Sequence, residues 1–201
     1  DSITGDTDCY AVFTYTKIPG KVWTKSDIPS GAVNAVAHGN GLWVACHNAN
    51  GLYYSEDGKT WLPSDVTSGE FLAVAYANGL WVAGGRSTGV RYSTDGKNWT
   101  RSTGSLTSWL VYNVYFADDM WTISVYANGL YYSVDGNAWT KTNSRRVKNA
   151  VVFADDLWVA GSDNTYGLQY SEDGKTWADS NITAGAFDAV AHGNGLWVAA
   201  S

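Results

Sequence analysis

Apolar and polar residues alternate along this chain in short bursts with period two, and helix is disfavoured throughout. Residues 35–38 alternate and read as a strand, His38-Gly39-Asn40-Gly41 as a turn, and residues 42–45 as the returning strand. A loop at residues 48–51 leads to a third strand at 52–55. Asp57-Gly58 then supplies a tight turn that tolerates positive φ, and residues 59–62 read as a fourth strand.

The same succession recurs. The string AVAHGNGLWVA at 35–45 returns unchanged at 189–199, and diverged copies stand at 73–83, 113–123 and 150–160. Their tryptophans, Trp43, Trp81, Trp121, Trp158 and Trp197, are 38, 40, 37 and 39 residues apart. YYSEDGKTW at 53–61 has counterparts at 91–99, 131–139 and 169–177, and a worn copy at 15–23 keeps Gly20, Lys21 and Trp23. Self-similarity at this period marks a repeat architecture. The last repeat supplies only the first half of the pattern and the N-terminal residues only the second, so the two halves are expected to pair. The expected fold is therefore all-β: a five-bladed β-propeller with four antiparallel strands per blade, its last blade closed by the N- and C-terminal segments. One domain, 1–201, would hold repeats at 34–71, 72–111, 112–148, 149–187 and 188–201 plus 1–33. Two packed sheets in a sandwich are the alternative.

The runs SEDGKTW, STDGKNW, SVDGNAW and SEDGKTW resemble the Asp-box, or bacterial neuraminidase repeat, in a form one residue shorter between Asp and Gly. GLWVA followed by YYSEDGKTW is also similar to runs in bacterial and phage propeller proteins. The resemblance implies a structural role for Ser55, Asp57 and Trp61, and equally for Ser93, Asp95 and Trp99. Ser133, Asp135, Trp139, Ser171, Asp173 and Trp177 complete the set. Ser and Asp oxygens can take up backbone N–H groups in the hairpin, and the indole can pack between blades. A sialidase relationship would further imply an arginine triad, a tyrosine nucleophile with a glutamate, and an acid. The chain has Arg86, Arg91, Arg101, Arg145 and Arg146, and the string nearest the family's Arg-Ile-Pro is Lys17-Ile18-Pro19. The expectation is no enzyme, with a degenerate sialidase-like protein as the third-ranked reading.

Composition narrows the partners. A net charge of -6 argues against nucleic acid, and no apolar run is long enough to span a membrane. Cys9 and Cys46 are too few for a disulfide framework; Cys46 reads as a small buried filler, with a Cys9–Cys46 bridge as the alternative. His38, His47 and His192 do not space as metal ligands, and Asp118-Asp119 and Asp155-Asp156 stand where other repeats have Asn-Gly turns. No metal and no cofactor is expected.

The turns between strands 1 and 2 and between strands 3 and 4 are nearly constant and belong to one end of the ring. The loops between strands 2 and 3, and the crossings between blades, vary and share the other end. On that face stand Trp109, exposed-looking in a Ser/Thr-rich crossing but read first as an interblade packing residue, Arg86 beside Asp163 and Asn164 one or more blades away, and the pair Arg145-Arg146. Tyr126, Tyr166, His47 and Asn48 complete the candidate binding set. Aromatic rings with short polar side chains suit sugars. The leading expectation is a lectin-like recognition propeller; the alternative is a structural or protein-interaction scaffold of recently amplified or engineered repeats. Expected partners are glycans or a protein surface, the expected state a monomer, and the expected location secreted, surface or phage-associated.

Overall fold

The computed structural model describes residues 10–11, 23–103, 109–162 and 166–200, and all regular structure among them is strand. A head pair, β1 (Tyr10–Ala11) and β2 (Thr24–Lys25), forms a two-stranded sheet. Blade 1 holds β3 (Val33–Gly39), β4 (Leu42–His47), β5 (Leu52–Ser55) and β6 (Leu62–Pro63). Blade 2 holds β7 (Glu70–Ala77), β8 (Leu80–Arg86), β9 (Val90–Ser93) and β10 (Thr100–Arg101). Blade 3 holds β11 (Val111–Ala117), β12 (Met120–Val125), β13 (Gly129–Ser133) and β14 (Thr140–Lys141). Blade 4 holds β15 (Val147–Ala154), β16 (Leu157–Ser162), β17 (Leu168–Ser171) and β18 (Ala178–Asp179). A tail pair, β19 (Ala189–Gly193) and β20 (Leu196–Ala200), forms its own two-stranded sheet, so among the described residues the expected last blade, closed by pairing of the N- and C-terminal segments, is two separate half-blades. Each four-stranded blade is an antiparallel meander in chain order.

The turns follow from residue chemistry. Each first hairpin needs two successive residues at positive φ, met by Asn40-Gly41, Asn78-Gly79, Asp118-Asp119, Asp155-Asp156 and Asn194-Gly195. The acidic pairs are thus turn residues. In all four complete blades the register slips once near the start of the first strand, as between Val33 and Ala35, which bends that strand.

The second turn differs from expectation in a way its hydrogen bonds explain. Residues 59–61 were expected to begin a fourth strand, yet only Leu62–Pro63 pair with β5. Asp57 Oδ1 takes the Lys59 and Thr60 N–H groups at 2.8 and 2.7 Å, and Asp27 Oδ1 takes that of Trp61 at 2.7 Å. With their donors taken by carboxylates, these residues leave the ladder. The Ser55 hydroxyl accepts from Gly58 N–H at 2.7 Å and donates to Asp57, while the Trp61 indole N–H folds back onto Gly58 O at 3.1 Å. The serine-to-aspartate and indole-to-glycine bonds recur at Ser93, Asp95 and Trp99, at Ser133, Asp135 and Trp139, and at Ser171, Asp173 and Trp177. Backbone donors stabilise each carboxylate in its charged form. The Asp57 carboxyl is held down at about 2 by Thr60 and Lys59, and those of Asp95, Asp135 and Asp173 also lie below the ordinary carboxylate range.

The core lies between blades. Leu42, Val44 and Cys46 on one face of blade 1 pack with Val74, Trp81 and Ala83 of blade 2. Ala73 and Val82 of blade 2 pack with Val114, Trp121 and Ile123 of blade 3, and Met120 of blade 3 with Val151, Trp158 and Ala160 of blade 4. Trp81, Trp121 and Trp158 are 1%, 1% and 0% exposed.

Two predictions follow from the turns. Gly51 has φ +80, and a Cβ there would collide with Val66 O, whereas Gly41 at φ +72 has nothing within 4 Å. Gly51→Ala is expected to cost at least about 2 kcal/mol and Gly41→Ala about 1 kcal/mol in denaturant titration, the difference being the steric term. The depressed turn carboxyls contribute stability that is complete above the ordinary carboxylate pKa of about 4 and is lost as pH falls through their folded values. The melting temperature should fall as pH drops from 4 toward 2, and Asp57→Asn should flatten that slope.

Candidate functional site

The variable loops are fastened to the scaffold by main chain. Leu52 N–H bonds Val66 O at 2.9 Å and Gly51 N–H bonds Gly69 O at 3.1 Å, tying the strand 2–3 loop of blade 1 to the following crossing. Gly167 and Leu168 make the same bonds to Gly185 and Ile182 in blade 4. These anchors set the loops in place and leave many of their side chains pointing outward.

Four of the predicted residues come together beside blades 3 and 4. A hollow of about 310 Å³ is lined by Ala127, Asn128, Lys141, Ser144, Arg145, Arg146 and Tyr166. The Arg145 guanidinium lies 5.1 Å over the Tyr166 ring and that of Arg146 5.3 Å over the Tyr126 ring. Tyr126 and Tyr166 are 49% and 38% exposed, so both rings offer surface to a ligand. Arg145 Nε and Nη2 donate to the two oxygens of Asp179 at 2.8 and 2.6 Å. That fork holds the Asp179 carboxyl below its ordinary value. Beneath it, Arg145 N–H donates to Oε1 of buried Gln169 at 2.9 Å, and the Ser144 hydroxyl accepts from Leu130 N–H at 2.8 Å. Three cationic side chains in one hollow make a local positive site on an acidic chain.

The remaining candidates sit elsewhere. Trp109, read first as an interblade packing residue, is half-buried in the packing between blades 2 and 3, edge-on to Tyr131 with centroids 5.1 Å apart. Arg86 pairs with Glu70 at 2.8 Å. His47 is 2% exposed; its Nδ1 accepts the Ala49 and Asn50 N–H groups, which leaves Nε2 as donor toward Ser30 O at 3.3 Å. It is a loop brace, and its neighbour Asn48 is exposed. Asp163 and Asn164 lie outside the described residues, as do Cys9 and most of the worn turn at 15–23.

Sequence reasoning missed a larger hollow, of about 580 Å³, at the constant end between blades 1 and 2. Lys97 there pairs with Glu56 at 3.1 Å, and Asp95 accepts the Lys97 and Asn98 N–H groups. Its charged side chains are thus paired with each other or with the turn backbone. Among the described residues no group of three metal-binding side chains gathers. Among the described residues no helix is long and apolar enough to cross a membrane.

No protein-family model matches the sequence, and no curated protein is recognisably similar to it. Solved structures do resemble it. The computationally designed Ika8 protein superposes with a TM-score of 0.66 at 15% identity, over 87% of this chain and 57% of that one. An ancestral GH74 enzyme gives 0.60 at 18% identity, over 73% of this chain and 24% of that one. YCF48 bound to D1 peptide gives 0.56 at 20% identity, over 79% and 56%. The fold is that of a β-propeller, and the chain spans less than two-thirds of the length of each of these proteins.

Cys46 is a free, fully buried thiol, and loss of solvation pushes its pKa well above the ordinary value. In a Cys9→Ser background, Cys46 should resist a thiol reagent such as dithionitrobenzoate in the native state and react fully in denaturant.

Proposed function

We propose that this chain is a non-enzymatic recognition propeller that binds acidic glycans at the notch formed by Tyr126, Arg145, Arg146 and Tyr166. The observation that carries this reading is a hollow lined by Arg145, Arg146 and Tyr166, in which the two guanidinium groups lie over the exposed rings of Tyr166 and of neighbouring Tyr126. A sugar ring presents C–H faces that stack on aromatic rings, and its hydroxyls accept from guanidinium N–H groups. A carboxylate or sulfate on the sugar adds charge-assisted bonds, for which arginine is the best-shaped partner. The hydrogen bonds of Asp57, Asp95, Asp135 and Asp173 account for these acids as folding devices, which supports a binding role over a hydrolytic one. The shortened Asp-box resemblance fits a scaffold inherited without its catalytic set. Five repeats make each chain a five-blade unit, the fifth blade contributed as two halves.

A second reading is a protein-interaction scaffold, favoured by the likeness to YCF48, whose structure is bound to a peptide. The two readings separate in one experiment. On a glycan array followed by calorimetry, oligosaccharides bearing uronic or sialic acids should bind better than neutral ones. Arg146→Ala and Tyr166→Ala should each weaken that binding at least about tenfold, the usual scale for losing a charge-assisted bond or a stacked ring. A chain that binds no glycan would sink the lectin reading and leave the scaffold.

A further inference from the structure

The two ends of the array carry matching uncovered faces. Along each first hairpin, alternate residues face opposite neighbours. In blade 1, Ala35, Ala37, Leu42, Val44 and Cys46 face blade 2, while Val36, Trp43 and Ala45 face the other way. Their counterparts in the tail pair are Ala189, Ala191, Leu196, Val198 and Ala200, and all five are exposed, Leu196 by 66% and Val198 by 62%. Leu42 and Val44, at the same positions in blade 1, are 7% and 0% exposed. At the other end, Val36 is 51% exposed where Val74, Val114 and Val151 are 9%, 6% and 5%, and Trp43 is half-buried where Trp81, Trp121 and Trp158 are covered.

Each face has its complement drawn three times inside the chain. Wherever a Leu/Met–Val/Thr face of one blade is covered, a Val–Trp face of the next blade covers it. A Cβ at Gly39 would collide with the Tyr76 ring of the next blade, whereas at Gly193, the same position in the tail, nothing lies within 4 Å. His38 occupies the position of Tyr76 on the head and would fill that space. The head pair is already set for the join: Asp27 N–H donates to Lys59 O at 3.0 Å and Asp27 Oδ1 accepts from Trp61 N–H. Asp65 makes the same clasp between blades 1 and 2.

We propose that the uncovered face of β19–β20 docks on β3–β4 of a second copy of this chain, where it meets that copy's head pair to complete a four-stranded blade. The second copy, and not the chain's own head, is the occupant because the three junctions among blades 1 to 4 are already closed. Trp81, Trp121 and Trp158 there are at most 1% exposed, and bending the array until its tail reached its own head would unpack at least one of them. The contact is heterologous, and the proposed assembly is a ring of two copies in which each tail meets the other's head.

Sedimentation of the 201-residue chain over a range of concentrations tests this. The expected mass is two chains. Leu196→Asp with Val198→Asp, or Val36→Asp, should each weaken association at least about a hundredfold while leaving the monomer's melting temperature unchanged, since these side chains are exposed in the single chain. Mixing the tail variant with the head variant should restore a pair, because one intact contact remains between them. A wild-type chain that stays monomeric at every concentration overturns the proposal. So does a monomer that Leu196→Asp destabilises, which would show the face covered by the chain's own head.

Discussion

A sheet that is apolar on both faces can persist in water only if another sheet lies on each side, and that constraint organises this molecule. Blades 1 to 4 have no interior of their own; every cluster of buried residues that holds them draws side chains from more than one repeat. Trp81, Trp121 and Trp158 concentrate the effect, since truncating a fully buried tryptophan costs about 3–5 kcal/mol. The stability of each blade is therefore a property of its neighbours, as in other repeat proteins. The exposure of Leu196, Val198 and Val36 is the same rule seen where a neighbour is missing from the single chain.

The spacing between blades is held by a polar link of fixed length. Residues 34 apart are joined where a crossing meets the next turn: Asp27 to Trp61, Asp65 to Trp99, and Asn143 to Trp177. In the junction of blades 2 and 3 the direction reverses, with Thr103 N–H donating to Asn137 Oδ1 and the Ser102 hydroxyl to Gly136 O. Polar bonds thus fix the register of each junction while apolar burial supplies its strength. The turn carboxylates of Asp57, Asp95, Asp135 and Asp173, joined at Trp61, Trp99 and Trp177 by these links, use up the N–H groups that would otherwise continue the fourth strand, which is why β6, β10, β14 and β18 are only two residues long.

What was legible in the sequence was whatever repeats. The strand pairs around AVAHGNGLWVA and the turns at SEDGKTW appear where the periodicity puts them, because local turn chemistry and alternation dictate them directly. The candidate site was legible only as separate residues. Tyr126, Arg145, Arg146 and Tyr166 were marked by lying in variable loops, but their stacking depends on how two blades meet. The pairing of Arg145 with Asp179, and of Arg86 with Glu70, had no local signal at all. His47 was misread for a related reason: its role is to accept two N–H groups of its own loop, a pattern that depends on the loop's conformation. Trp109, singular in a polar crossing, packs between blades as a large aromatic ring is expected to.

The division between a constant and a variable end has a physical cause in the way each end satisfies its backbone. At the constant end serine and aspartate side chains do this work, so Ser55, Asp57 and Gly58 cannot change without leaving donors unpaired or straining φ. At the other end main chain bonds main chain, through Gly51 and Gly69 or Gly167 and Gly185, and the intervening side chains carry little of the load. Arg145 illustrates the difference: its N–H is held by Gln169 and its peptide is fixed, while its guanidinium reaches out over Tyr166 to a surface carboxylate. An exposed pair of that kind adds little to stability. The Arg145 side chain thus contributes little to the fold beneath it.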